Sequence, residues 1–199
     1  MTPAPLAPPR IDPADAAAAA ARFSAGAPAD VRYAVLDTPV GRVVAAITPR
    51  GLVRLAYEDW NDGVDRIVSS LAGSLSPRIL EQPAALDPVA RELDEYFAGR
   101  RTSFDLDLDW SLCTPFARRV LGATKRIPYG QVATYGEVAE GAGSPGGSRA
   151  AGNALGSNPM PIVVPCHRVV RTGGALGGYT GGVERKELLL RLEHAAIMG

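Results

Sequence analysis

The chain reads TYGEVAEGAGSPGGSRAAGNAL over residues 134–155, a stretch with two helix signals separated by a glycine-rich break. Thr134 and Glu137 have the spacing of a capping box, in which each side chain bonds the backbone of the other, so a short helix begins here. The run 141–147 is too rich in glycine to continue that helix, and Ser148 begins a second one. This stretch therefore predicts a helix-turn-helix, which decides the fold of the second half of the chain.

The second predicted helix has an almost bare face, because four of its residues have no side chain larger than a methyl group. A bare helix face lets another backbone approach closely. The neighbour is either a helix of the same protein or the groove of a nucleic acid, and both explanations stay open at this point. The residues concerned are Ala150, Ala151, Gly152 and Ala154, with Arg149 as the long side chain beside them.

Two more helices are predicted around this motif, at about residues 115–126 and 183–193. In the last of them, Lys186 and Glu193 are seven residues apart and so lie on the same side, beside leucines. We therefore expect Glu193 to be partly buried and to need a partner, for which His167 is one of the few candidates. The alternative is a glutamate at the helix end that is exposed to water.

A thiol and an imidazole stand side by side in Pro165-Cys166-His167-Arg168-Val169-Val170. The preceding run 161–165 is short, β-branched and bounded by prolines, which predicts a buried extended segment that breaks at Cys166. A histidine partner can activate a cysteine as a thiolate nucleophile. Since neighbouring side chains of an extended chain point to opposite faces, this chemistry requires a sharp turn at Cys166. The alternative is a buried structural cysteine beside an unrelated histidine.

The first half of the chain has the pattern of a small α+β unit. Three β-like runs separated by turn signals predict an antiparallel meander, and two helical patterns and one further alternating run follow. None of these segments has the residues of a catalytic or phosphate-binding motif. The strands are expected at residues 31–36, 42–47 and 52–57, the helices at about 61–72 and 87–98, and the alternating run at 104–108.

These patterns predict an α+β fold in three parts. A flexible arm rich in proline and alanine covers residues 1–30, and an N-terminal domain with a three-stranded antiparallel sheet and helices covers residues 31–109. A mostly helical C-terminal domain with the helix-turn-helix covers residues 110–199.

The composition is that of a globular protein, since 46% of the 199 residues are hydrophobic and no apolar run approaches the length of a membrane span. The N-terminus lacks the charged and apolar regions of a signal peptide, so we expect a cytoplasmic protein. In that reducing compartment Cys113 and Cys166 are expected to be free thiols. A four-ligand zinc site would have to use both cysteines and both histidines at unfamiliar spacings, so we expect no metal.

Charge is distributed unevenly although the net charge is zero. Residues 1–109 contain 11 Arg, no Lys and 16 acidic residues, whereas residues 110–199 contain 10 basic and 5 acidic residues. The halves therefore carry net charges of −5 and +5. If the protein binds a polyanion, the second half binds it; otherwise these are ordinary solvated arginines.

An ordered set of motifs across the second half resembles the O6-alkylguanine-DNA alkyltransferase family, and the resemblance extends more loosely over residues 31–194. A resemblance to this family implies stoichiometric, irreversible transfer of an alkyl group from O6 of guanine in DNA to a cysteine, without a cofactor. The motifs are Ile127-Pro128-Tyr129-Gly130-Gln131, Tyr135, Arg149-Ala150-Ala151-Gly152, Asn158-Pro159, Pro165-Cys166-His167-Arg168-Val169 and Tyr179-Thr180-Gly181-Gly182.

By this resemblance, Cys166 is the alkyl acceptor, His167 forms the thiolate through a bound water, and Glu193 polarises His167. Asn158 braces the turn between them. Tyr179, Thr180, Val169 and Lys186 would line or border the pocket for the guanine.

The resemblance also implies how duplex DNA carrying O6-alkylguanine, the expected partner, would be bound. Arg149 would replace a flipped base in the stack, and Tyr135 would help to rotate the nucleotide, because the target atom is unreachable inside a duplex. Ala150, Ala151 and Gly152 would press into the minor groove. We expect a monomer in solution without membrane contact; whether molecules bind DNA cooperatively is open.

Three positions differ from residues that are common in the family: Cys113, Ala117 and Leu121 replace glycine, glutamine and tryptophan. These differences bear on local packing. The family also contains lesion-binding proteins that lack the nucleophile, and because Cys166 is present the sequence is similar to the repairing members. Two other hypotheses are a DNA-binding lesion sensor or regulator without chemistry, and a thiol hydrolase.

Overall fold

A computed structural model describes residues 29–195, and its first part is a four-stranded sheet with the strand order β3-β2-β1-β4. Strands β1 and β2 are antiparallel, as are β2 and β3, whereas β4 runs parallel to β1. The predicted arm lies outside the described residues except for Ala29 and Asp30. The strands are β1 (Val31–Leu36), β2 (Val43–Thr48), β3 (Gly51–Tyr57) and β4 (Ile79–Glu81).

The three predicted strands are confirmed to within one residue, and the sheet contains one strand more than predicted. β4 has only three residues, which is too short to show an alternating pattern. Residues 104–108 form no strand; Leu108 makes a single bridge to Leu52 at the free edge of β3. The alternation of that run reflects side chains that pack against the hydrophobic core, among them Leu106 and Phe104, whose ring centre lies 5.3 Å from that of Tyr96.

Both faces of the sheet are covered. Helix α1 (Val64–Ser74) packs on one face through Ile67 and Leu71, which join a cluster with alternate residues of the strands. Helix α2 (Asp87–Phe97) and the second half of the chain cover the other face. The central strand β2 is therefore buried on both sides, which explains its continuous apolar sequence Val-Val-Ala-Ala-Ile.

The second half is mostly helical, as predicted. Thr134 and Glu137 form the predicted capping box, with Thr134 N donating to Glu137 Oε2 at 2.6 Å and Glu137 N donating to Thr134 Oγ1 at 3.2 Å. A parallel pair of two-residue strands joins the start of this motif to the segment after Cys166. The elements are α3 (Pro115–Lys125), β5 (Ala133–Thr134), α4 (Tyr135–Gly141), α5 (Ser148–Gly156), β6 (Val169–Val170) and α6 (Val183–Leu192).

One hydrophobic cluster contains buried residues from both halves, so the predicted division at residue 110 stays a prediction. Two of the unusual residues of α3 are part of this core: Ala117 is 6% exposed and Leu121 is fully buried. At the sheet edge, the backbone N–H of Leu55 donates to the carbonyl of Pro159 at 2.8 Å. Within residues 29–195 no helix is long and apolar enough to cross a membrane.

Candidate functional site

Cys166 lies at the start of a single 3₁₀ turn, Cys166–Arg168, and is 5% exposed. The sharp turn that the Cys-His pair requires is therefore present. The preceding segment 161–165 is buried, as predicted, but the prediction that it is extended is wrong. It forms turns, in which Val164 N donates to the carbonyl of Met160 at 2.8 Å and Ile162 has a φ of 73°. A β-branched residue adopts this left-handed conformation only where its surroundings enforce it.

Asn158 enforces this turn and also contacts the sulfur. Its side-chain Nδ2 donates to the carbonyl of Val164 at 2.9 Å and to Cys166 Sγ at 3.1 Å. Its Oδ1 accepts from the backbone N–H of Met160 at 3.0 Å. The amide is 4% exposed, so these bonds form in a dry environment where they position the thiol firmly.

The Cys166 thiol is protonated at neutral pH. Burial raises its pKa to about 11, although the hydrogen bond from Asn158 and the positive charge of Lys186 act in the opposite direction. A thiol in this state is a poor nucleophile, because the thiolate is the reactive form. The site therefore needs a base that can remove the proton.

His167, the residue after Cys166, forms a buried pair with Glu193. His167 is 0% exposed and Glu193 1%, and His167 Nε2 lies 2.9 Å from Glu193 Oε1. Burial alone would raise the pKa of Glu193, but hydrogen bonds from His167 and Arg168 lower it to about 2. Glu193 is thus a carboxylate at neutral pH, and it is the buried partner of His167 that the helical spacing predicted.

This pairing determines which nitrogen of His167 can act as a base. A carboxylate only accepts hydrogen bonds, so Nε2 carries the proton. Burial lowers the pKa of His167, which keeps the ring neutral and leaves a lone pair on Nδ1. Nδ1 is buried and has no hydrogen-bond partner among residues 29–195. The arrangement supplies a neutral imidazole base in the residue that follows the thiol.

Sequence reasoning did not assign roles to two other side-chain partners of Glu193. Arg168 donates from Nε to Oε2 at 2.8 Å and from Nη2 to Oε1 at 2.9 Å, and it is 5% exposed. Tyr96, on α2, donates its hydroxyl to Oε1 at 2.6 Å. An arginine followed by two valines in a buried segment was a signal that an acid must lie nearby, whereas nothing local to Tyr96 indicated its contact.

Cys166 lines a cleft of about 1060 Å³ that α4, α5 and the loop before α6 surround. Trp60 and Arg171 also line it, and the sequence pattern singled out neither. Five other predicted site residues reach this cleft: Tyr135, Arg149, Gly152, Tyr179 and Thr180.

The wall of the cleft near Cys166 is held by two hydrogen bonds and one close packing contact. The hydroxyls of Tyr179 and the buried Tyr57 are 2.9 Å apart, and Thr180 Oγ1 donates to the carbonyl of Gly156 at 3.0 Å. Gly181 packs so closely on Tyr57, at a φ of 104°, that a Cβ there would lie 2.4 Å from the ring. Tyr57 belongs to β3, so the sheet supports the pocket wall.

Lys186 and Val169 do not face the cleft. Lys186 is fully buried, and its Nζ donates to the carbonyls of Val169 at 2.5 Å, Gly178 at 3.4 Å, and Leu176. Burial lowers the pKa of Lys186 to about 8. Lys186 therefore ties the loop before α6 to β6, and the side chain of Val169 is in the core.

The small residues of α5 do not share one face. Arg149 and Ala150 are exposed and Gly152 is half-buried, but Ala151 is 0% exposed and packs in the core with Ala154. The prediction that Ala151 contacts DNA is therefore wrong for its side chain, because that side chain is fully buried in the hydrophobic core. In this helix, small residues serve internal packing at 151 and 154, and position 150 is exposed. Position 152 is half-buried, where a Cβ would lie 3.7 Å from the ring of Tyr135.

The fold and the site define a class of protein in which a helix-turn-helix borders a cleft that a buried cysteine lines, and the residue after that cysteine is a histidine paired with a buried glutamate. Within residues 29–195 no group of three or more His, Cys, Asp or Glu side chains is placed to hold a metal ion. Two family models match the chain. Residues 31–110 match the ribonuclease-like domain, and residues 115–195 the DNA binding domain, of 6-O-methylguanine DNA methyltransferase.

Named relatives and solved structures agree with these matches. A methylated-DNA--protein-cysteine methyltransferase from Mycolicibacterium paratuberculosis is 40% identical over 82% of this chain and 92% of its own length. The Shigella flexneri protein of that name is 44% identical over 70% of this chain and 83% of its own length. The structure of Mycobacterium tuberculosis OGT in complex with DNA has 38% identity and a TM-score of 0.71, and covers 82% of this chain and 94% of its own. The chain belongs to the 6-O-methylguanine DNA methyltransferase family.

Proposed function

We propose that this protein repairs alkylated DNA by moving the alkyl group from O6 of guanine to Cys166. The observation that carries the proposal is a buried thiol that lines a cleft bordered by a helix-turn-helix and is followed in the chain by a neutral imidazole held by a buried carboxylate. In the reaction a bond forms between Sγ and the alkyl carbon while the bond from that carbon to O6 breaks. The thiol proton moves to the base, and the guanine leaves and takes up a proton.

Each member of the buried cluster has one task in this reaction. His167 accepts the thiol proton at Nδ1, through a water, and Glu193 stabilises the charge that then develops on the imidazole. Arg168 and Tyr96 hold the carboxylate in place, and they are positioning residues rather than groups that touch the substrate. Asn158 aims the sulfur into the cleft.

The cleft, of about 1060 Å³, is large enough to accept a nucleotide that has left the duplex. Arg149, exposed at the start of α5, enters the base stack in place of the flipped nucleotide, and Tyr135 helps to rotate it. The small surface of Ala150 and Gly152 lets α5 approach the minor groove. Tyr179 and Thr180 then line the pocket for the guanine, and Lys186 secures the loop that carries Tyr179.

Transfer to sulfur has two consequences for the biology of the protein. A thioether has no leaving group that the cleft could displace, so each molecule reacts once and needs no cofactor. The thiol must also stay reduced until it meets a lesion, and both Cys113 and Cys166 are free. We therefore infer that the protein works in the cytoplasm, where thiols are kept reduced.

The experiment that tests this function is intact mass spectrometry of the protein after incubation with a duplex that contains O6-methylguanine. We expect a mass gain of one methylene, on Cys166, that stops at one methyl group per protein molecule however much substrate is added. Binding to the methylated duplex without any mass gain would identify a lesion sensor instead. Repeated turnover of an activated ester would identify a thiol hydrolase, and it too would contradict the proposal.

His167→Gln should change both the rate of transfer and its dependence on pH. With a pKa of about 11, four units above neutrality, about one Cys166 in 10⁴ is a thiolate at pH 7 without help from a base. We expect the variant to transfer about 10²-fold more slowly at pH 7. Its rate should rise about tenfold per pH unit from 7 to 9, because the thiolate fraction does so. The wild type should stay nearly flat, because burial keeps His167 neutral throughout.

Single-turnover rates measured across this pH range would check the prediction. The affinity of the variant for undamaged duplex, measured in parallel, should equal that of the wild type and so serve as the control for folding. Parallel pH profiles for the two proteins would mean that His167 is not the base.

A further inference from the structure

A second cleft, of about 610 Å³, lies between α3 and the end of α4. Three arginines line it: Arg118 and Arg119 in α3, and Arg126, the C-cap residue of α3. Cys113 also lines this cleft, but burial raises the pKa of its thiol, so it adds no negative charge. The cleft is therefore a concave surface with three positive charges, and we call it the arginine cleft.

Two of the three arginines are held in place by backbone contacts. Arg119 Nε donates to the carbonyl of Ala142 at 3.2 Å, and its guanidinium lies 5.4 Å from the centre of the Phe116 ring. Arg126 Nη1 donates to the carbonyl of Gly122 and Nη2 to the carbonyl of Gly141, both at 3.2 Å. These contacts offset the partial negative charge at the end of α4 and leave other guanidinium N–H groups facing the cleft.

No carboxylate of residues 29–195 forms an ion pair with any of these three arginines. By contrast, Arg42, Arg50, Arg78 and Arg101 of the first half each pair with at least one acid. The side chain of Arg118 makes no hydrogen bond at all to the described residues. Three guanidinium groups that line one cleft without an acid paired to them raise the local positive potential and favour an anion there.

The position of this second cleft relative to the Cys166 cleft indicates which anion it fits. Gly141 and Ala142 line the arginine cleft, and the turn that begins there ends at Ser148 and Arg149, which line the Cys166 cleft. The two clefts thus flank the same turn of the helix-turn-helix. A polyanion laid along α5 would continue past this turn toward the arginines.

We propose that the cleft of Arg118, Arg119 and Arg126 binds a backbone phosphate of the DNA that flanks the lesion. A guanidinium group can bind a phosphate through two parallel hydrogen bonds, which makes this site one that orients the duplex as well as attracting it. The inference rests on the proposed function, since it requires DNA along α5. It also assigns a function to part of the net positive charge of residues 110–199.

The test compares Arg118→Ala, Arg118→Glu and Arg118→Lys with a matched control, Arg91→Ala, which removes an exposed arginine from α2. Binding of a labelled, undamaged duplex is followed by fluorescence anisotropy at several salt concentrations. Arg118→Ala should weaken binding several-fold and reduce the slope of log K against log salt by about one. Arg118→Glu should weaken it further, and Arg118→Lys and Arg91→Ala should keep the slope of the wild type.

A second measurement separates this inference from the proposed function. Transfer to Cys166 from the free base O6-benzylguanine involves no phosphate, so the Arg118 variants should react with it at the rate of the wild type. Unchanged salt slopes for Arg118→Ala and Arg118→Glu would overturn the phosphate site while alkyl transfer by the wild type continued. A parallel loss of free-base transfer would also overturn it, since the substitution would then act on the fold. If the wild type took no alkyl group from DNA, the proposed function itself would fail.

Discussion

Cys166→Ser is expected to take up no methyl group from O6-methylguanine DNA while still binding that DNA. A serine hydroxyl can accept the hydrogen bond that Asn158 donates to the sulfur, so the turn around residue 166 should survive. The hydroxyl is a far weaker nucleophile than a thiolate, and His167 cannot ionise it to a useful extent. We expect the rate of transfer to fall by more than about 10⁴-fold.

Radiolabelled methyl transfer and duplex affinity, measured on the same preparation, would check this result. Cys113→Ser is the matched control, because Cys113 is the other free thiol of the described chain and lines the arginine cleft instead. It should accept one methyl group at the rate of the wild type. A methyl group found on Cys113, or transfer that persists in Cys166→Ser, would contradict the assignment of the acceptor.

Glu193→Gln is expected to reduce both the stability of the protein and its rate of transfer. The carboxylate accepts hydrogen bonds from His167, Arg168 and Tyr96, and all four side chains are buried. Removing its charge leaves Arg168 as an uncompensated buried cation, which destabilises a protein by about 3–5 kcal/mol. The imidazolium formed during transfer also loses its counter-charge, so we expect the rate to fall by about 10²-fold.

Urea unfolding at different pH values would check the stability part of this prediction. The pKa of Glu193 is about 2 in the folded protein and ordinarily 4.5, so its contribution is present above pH 4.5 and is lost as the pH falls toward 2. The wild type should lose this contribution on acidification, and Glu193→Gln should not.

The matched control is Glu187→Gln, on the same helix, where the side chain is 40% exposed and pairs with Arg191. An exposed pair of this kind contributes less than about 1 kcal/mol. Equal destabilisation by the two substitutions would show that the buried cluster does not contribute in the way we infer.

Local patterns were sufficient to predict most of the fold. The strands of the meander and the capping box of α4 depend on residues that are close in sequence, and the structure contains both. The segment 161–165 shows where such reasoning fails. A β-branched run between prolines has the composition of a strand, but the amide of Asn158 holds it in turns with Ile162 in the left-handed region. That contact is a property of the folded chain and not of the run itself.

Helical spacing and the order of the motifs were sufficient to predict part of the candidate site. Position on the apolar side of the last helix indicated that Glu193 is buried, and its contact with His167 spans 26 residues. The contacts of Tyr96 with Glu193 and of Tyr57 with Tyr179 span 97 and 122 residues, and no periodicity connects residues so far apart. Small size alone also did not distinguish Ala151, in the core, from Ala150, on the surface.

The hydroxyl of Tyr96 contacts the carboxylate of Glu193, and that of Tyr57 contacts Tyr179 in the pocket wall. The amino-terminal sheet and α2 are therefore a scaffold for the proposed chemistry at Cys166. A substitution that loosens the packing of this scaffold would impair transfer to the sulfur without any change to a reacting group. Loss of repair is therefore not a reliable guide to which residues meet the damaged base. A variant that keeps its DNA contacts and its thiol can still be inactive, because Tyr96 and Tyr57 no longer hold Glu193 and Tyr179 in position.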